Sequence, residues 1–63
     1  MLIRSTWKNI WNGGKARIAM GPRCMYVVEI WSDRVDTYVV DQLFDNLEDA
    51  CRWLRESGFA REV

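Results

Sequence analysis

The 63-residue chain predicts an α+β fold, an antiparallel sheet of three or four strands with one C-terminal helix packed on one face. Three observations carry that prediction. Apolar and polar residues alternate with a period of two between residues 15 and 40, the period becomes helical after Phe44, and turn residues separate the segments. A chain this short forms a single domain, residues 1–63, and buries only about 60% of the surface that its unfolded form exposes, so the core is thin.

Residues 1–14 read as an N-terminal strand and turn. In "MLIRSTW" Leu2, Arg4 and Thr6 would face one way and Ile3, Ser5 and Trp7 the other, while "KNIWNGG" reads as a turn in which Gly13 and Gly14 form a hinge or hairpin turn. A three-stranded meander occupies 15–40: "KARIAM" (15–20), "CMYVVEIWS" (24–32) and "VDTYVV" (35–40), separated by "GPR" and "DR". A three-residue Gly21–Arg23 loop pairs Met20 with Cys24 and Ile18 with Tyr26. A two-residue Asp33-Arg34 loop sets Ile30 opposite Thr37 and Val28 opposite Val39. One face is then apolar throughout, and both cysteines face this core. The other face carries Arg17, Glu29, Trp31, Asp36 and Tyr38, with Lys15 across from Glu29 as a charge pair.

The helix is expected over 45–57. Asp45 and Glu48 have capping-box spacing, Leu47, Ala50, Cys51 and Leu54 form one apolar stripe, and Gly58 supplies the stop. At 100° per residue Trp53 falls about 110° from the centre of the stripe, on its flank.

Composition excludes several chemistries. The chain has no histidine and two cysteines, too few ligands for a four-coordinate zinc site without carboxylates filling half the shell, so no metal and no cofactor are expected. Arg4 interrupts any leader-like apolar stretch, and no run approaches the roughly 20 apolar residues of a membrane helix. The expected location is the cytoplasm, where the cysteines remain thiols. With no histidine and with core-facing thiols, no catalytic residues are assigned and an enzyme is not expected. Gly13-Gly14 lacks the lysine-serine step and following helix of a phosphate loop.

Nine basic and nine acidic residues cancel, yet residues 1–25 hold five basic residues and no acid, whereas 26–63 hold nine acids and four basic residues. The halves carry +5 and −5. Either the two halves neutralise each other across the sheet, or the surface is polarised for binding. Four tryptophans exceed what so thin a core encloses, and Trp, Tyr and Arg dominate binding energy at interfaces. The candidate partner-binding residues are therefore Trp7, Trp11, Arg17, Glu29, Trp31, Asp36 and Tyr38, the two acids setting partner choice by charge. Trp7 and Trp11 either fold over the outer sheet face to complete the core or extend a contact surface beside it. Nucleic-acid binding through aromatics beside Lys8, Lys15 and Arg17 is the alternative, opposed by Glu29 and Asp36 on the same face. A structural homodimer burying that face is the third possibility.

The stretch "YVVEIWSDRVDTYVVDQLFDNLEDACRWLRESGF", residues 26–59, resembles the strand-turn-strand, Phe, capped-helix, glycine pattern of short bacterial and bacteriophage accessory proteins, through Phe44, Ala50, Trp53 and Gly58. Among these are phage anti-defence inhibitors of the anti-CRISPR kind. The resemblance implies a non-enzymatic protein that docks on a larger host defence or regulatory complex, in the host bacterial cytoplasm if phage-encoded. It transfers no binding residue to any position.

Overall fold

The computed structural model describes residues 2–62, with side chains from residue 3 onward, so the expected facing of Leu2 lies outside the described side chains. The strands are β1 (Leu2–Asn9), β2 (Lys15–Met20), β3 (Tyr26–Ser32), β4 (Thr37–Phe44) and β5 (Phe59–Arg61), with one helix, α1 (Leu47–Glu56), before the last. All pairings are antiparallel and the sheet order is β4-β3-β2-β1-β5. The α+β class and the C-terminal helix on one sheet face are as the periodicity predicts. The strand count is five rather than three or four, because β1 is complete and β5 joins it after the helix.

The helix begins one residue later than the capping spacing implied. Asn46 is the N-cap, its side chain accepting from Glu48 N (2.8 Å) and Asp49 N (3.2 Å), and Asp45 stays exposed outside the helix. The predicted stripe packs as expected: Ala50 and Leu54 are fully buried with Trp7, Ala16, Ile18 and Val28, while Leu47, Cys51 and Trp53 lie half-buried around them. Trp53 flanks the stripe against Phe44, with ring centroids 6.4 Å apart. Gly58, at φ +89°, takes the left-handed position after the helix end, and its N–H donates to Arg55 O at 3.1 Å. The reversal aims β5 back along β1, where Phe59 pairs with Asn9 and Arg61 with Trp7. No helix among the described residues is long and apolar enough to cross a membrane.

Both hairpin loops are two residues longer than predicted, for backbone reasons. A two-residue Asp33-Arg34 turn would need positive φ at the first position or at both, which suits Gly or Asn-Gly and not this pair. The chain instead uses four residues, 33–36, with a single left-handed residue, Asp36 at φ +56°. The Gly21–Met25 loop is closed by Gly21 N donating to Met25 O (2.8 Å) around a 3₁₀ turn over Pro22–Cys24. Cys24 therefore sits exposed in a loop at φ +58°, not facing the core; both cysteines are free thiols. Because each shift is even, the side chains that remain in the strands keep their face and change only their partner. Glu29 now pairs with Arg17 instead of Lys15, and Trp31 with Tyr38 instead of Asp36.

Two β-bulges make a larger change. Between Ile3 and Ser5 on β1, and opposite Val28 and Glu29 on β4, one extra residue interrupts the register: Arg4 in the first case, Asp41 in the second. Beyond each bulge the alternation is inverted. Ile3 therefore pairs with Ala19 on the face away from α1, not with Trp7 on the helix side, and Leu43 joins Val40 on that same outer face although the two are three positions apart.

Candidate protein-interaction site

On the outer face the register sorts side chains into rows that cross the sheet. One row runs Ile3, Ala19, Val27, Leu43 and is wholly apolar; it exists because the two bulges turned its end members outward. The next runs Thr6, Arg17, Glu29, Val40. The third contains the pairs Lys8–Lys15 and Trp31–Tyr38, and the β2–β3 register continued by one step places Lys15 beside Trp31.

The middle of this face is a closed polar network. Arg17 Nε donates to Glu29 Oε1 at 2.6 Å, and the guanidinium lies 4.0 Å from the centroid of the Tyr38 ring, a cation–π arrangement. Tyr38 in turn meets Trp31 edge to face, centroids 5.2 Å apart, and Trp31 Nε1 donates to Asp33 Oδ1 at 2.9 Å. Four of the predicted residues, Arg17, Glu29, Trp31 and Tyr38, are thus one connected cluster. Asp36 stands at the exposed turn beside it. One face of Tyr38 is covered by Arg17, and the Glu29 carboxylate lies in the same cluster.

Below the network lies an open groove of about 520 Å³ lined by Pro22, Arg23, Met25, Val27, Val40 and Leu43. Val40 and Leu43 are 60% and 59% exposed on the edge strand, large values for adjoining aliphatic side chains.

Trp7 and Trp11, four positions apart, have opposite fates. Trp7 is 1% exposed in the core under α1, so it has no surface to offer as a contact residue and it does not lie over the outer face, which corrects both expectations. The strand runs on to Asn9, an alternate residue of β1 on the helix side, and this keeps the Trp7 ring inside. Trp11 is 77% exposed in the turn that follows. That turn is not loose. Asn9 Oδ1 accepts from Trp11 N (2.8 Å) and Asn12 N (3.1 Å), Asn9 N donates to Gly14 O (2.7 Å), and Ile10 N donates to Gly58 O (2.9 Å). The six-membered ring of Trp11 rests on Gly58, where a β-carbon would come within 2.7 Å of Cζ3. Beside it an open groove of about 450 Å³ runs past Ile10, Lys8, Ala60 and Arg61.

Gly58 is thus needed twice, for its positive φ and for the indole on it. Gly58→Ala should cost about 1–2 kcal/mol from the left-handed backbone alone and should displace the Trp11 ring. Urea unfolding reads the first effect and a changed indole emission spectrum the second; an unchanged midpoint would contradict the strained geometry.

The residue that sequence reasoning missed is Asn9. Its buried amide organises the turn, and an Asn four residues before a Gly-Gly pair is the signal that could have marked it as a turn-former. No protein-family model, curated protein or solved structure matches the chain, so the surface is read from its own residues.

Proposed function

We propose that the protein is a non-enzymatic protein-binding module whose anchor is the Ile10-Trp11 turn, acting stoichiometrically in the cytoplasm by docking on a larger protein and blocking or redirecting it. The observation that carries this reading is Trp11: an indole mostly in water, on a turn held by the Asn9 side chain, by backbone bonds across the turn and by one to Gly58. An exposed indole contributes little to folding, whereas in a partner's pocket it is the side chain that most often dominates binding energy. A rigid turn also loses little conformational entropy on association. Ile10, 68% exposed, extends the apolar centre, and Lys8, Arg61 and Glu62 form a charged rim of the kind that steers partner choice. The resemblance to phage anti-defence proteins names host defence or regulatory complexes as the class of target.

The test is affinity capture with wild type and Trp11→Ala side by side. A partner retained by wild type should be bound at least ~30-fold more weakly by Trp11→Ala, the equivalent of about 2 kcal/mol at a hot spot, while the urea midpoint stays close to that of wild type. Equal capture by both proteins removes Trp11 from the interface. Recovery of nucleic acid alone, lost steeply with added salt, favours the nucleic-acid reading instead.

A further inference from the structure

The outer sheet face is complementary to itself, and we infer that its occupant is a second copy of this chain, packed face to face about a twofold axis that runs along the strands between β2 and β3. Such an axis exchanges left and right halves of the sheet: β1 of one copy lies over β4 of the other, and β2 over β3.

The rows show what this brings together. In the apolar row the exposed ends meet, Ile3 of one copy against Leu43 of the other, above Ala19 and Val27, which their own neighbours already bury. In the middle row Arg17, the more open member of the pair at 30%, comes over the Glu29 half of the second copy's ion pair, which sets the two 2.6 Å pairs against each other in opposite order. In the third row Lys8 and Lys15 come over the Tyr38 and Trp31 half of the other copy, beside the acids Asp33 and Asp36 of its β3–β4 turn. Lys8 and Lys15 are neighbours of like charge within one copy and enter no ion pair among the described residues. Alone, that pairing is unfavourable; against the other copy's acids and aromatic rings it is satisfied. The split of charge between the two halves of the sequence, +5 and −5, thereby acquires a structural use.

The size of the face sets the strength. Four strands at about 4.8 Å and six residues at about 3.4 Å give a projected patch of roughly 19 by 20 Å per copy. That is roughly 800 Å² over the pair, below the roughly 1,200 Å² of stable specific interfaces, so the dimer is a weak, transient one, forming toward high micromolar concentration and sensitive to salt. The result would be a four-layer assembly, helix-sheet-sheet-helix, with the two sheets about 10 Å apart. This inference does not depend on the Trp11 reading, since its readout is mass and not capture. If both hold, the dimer presents two Trp11 turns.

The experiment is sedimentation equilibrium of wild type and of two charge-reversed proteins, Lys8→Glu with Lys15→Glu, and Asp33→Lys with Asp36→Asn. The asparagine preserves the left-handed backbone that position 36 needs. Wild type should show twice the 7.5 kDa of one chain as concentration rises through the micromolar range. Each reversed protein alone should dimerise at least tenfold more weakly, because like charges now meet at both ends of the face. Mixed one to one, the two proteins should associate with each other, since the introduced glutamates then face the lysine introduced at position 33 while the native lysines face the native acids. Far-UV circular dichroism confirms that each variant is folded. A wild type that stays monomeric to millimolar concentration overturns the inference, as does a dimer indifferent to the Lys8 and Lys15 reversals, or a mixture that behaves as two independent monomers. A monomer that binds a single-stranded oligonucleotide through Lys8 and Lys15 overturns it as well.

Discussion

Trp7→Ala should leave the chain unfolded, or nearly so, in buffer at room temperature. The ring is the largest fully buried side chain and sits between the sheet residues Ala16, Ile18 and Val28 and the helix residues Ala50 and Leu54. Two of these five neighbours are alanines, already as small as a side chain that packs can be, so little can move into the space the indole vacates. Truncating a large aromatic under these conditions costs about 3–5 kcal/mol. A domain of this length has a total stability of about 3–9 kcal/mol at the usual value per residue. The loss is therefore comparable with the whole. The ring also has a polar tie: Nε1 donates to Ser5 Oγ at 2.8 Å, and the Arg55 guanidinium lies 5.8 Å from its centroid, on the helix side. Trp7→Phe keeps most of the volume and should remain folded, losing about 1–2 kcal/mol for the hydrogen bond and the smaller ring. Near-UV circular dichroism and urea titration separate the two variants. A cooperative transition for Trp7→Ala within about 1 kcal/mol of wild type would show that α1 is held by something other than this ring.

The same residue marks how far the sequence could be read. Period-two alternation located the 15–20 strand to the residue, and the Leu47, Ala50, Cys51, Leu54 stripe identified the helix face, because both patterns follow directly from which side chains must leave water. Faces survived even where register did not, since both loops lengthened by an even number of residues. The bulges at Arg4 and Asp41 left no local signal. Each inverts the alternation beyond it, so Ile3 leaves the face that simple alternation gives it with Trp7, and the apolar outer row has no trace in the sequence pattern. Trp7 and Trp11 share one short stretch and one apolar character. What separates them is where β1 stops, and that depends on the Asn9 side chain turning to cap the backbone of Trp11 and Asn12. Strand β5 is three residues long, too short to display a period at all. Of the candidate partner-binding residues, Arg17, Glu29, Trp31 and Tyr38 share one face as the alternation predicts, but their contacts arise from a register two residues away from the expected one.

That register has an energetic consequence that a mutant cycle measures. The Glu29 side chain is 8% exposed and Arg17 30%, so the carboxylate depends on its cation while the cation retains some access to water. Arg17→Met keeps an aliphatic stem against Tyr38 but leaves a buried carboxylate uncompensated, and should cost about 2–3 kcal/mol, less than a fully enclosed pair because Arg17 is open at one edge. Glu29→Leu leaves a guanidinium that can turn toward solvent and stack on Tyr38, and should cost about 1 kcal/mol or less. The double variant removes both charges and replaces them with packing on an apolar face, and should return to within about 1 kcal/mol of wild type. The expected pattern is thus asymmetric: the loss of the cation is the damaging step, and removing the anion afterwards repairs it. Urea unfolding of the four proteins at sub-micromolar concentration, below any association, gives the coupling directly. Single variants whose losses simply add in the double variant would mean that the 2.6 Å contact is not sustained in solution, and the central row of the outer face would then lack the fixed charges on which both its stability and its self-complementarity rest.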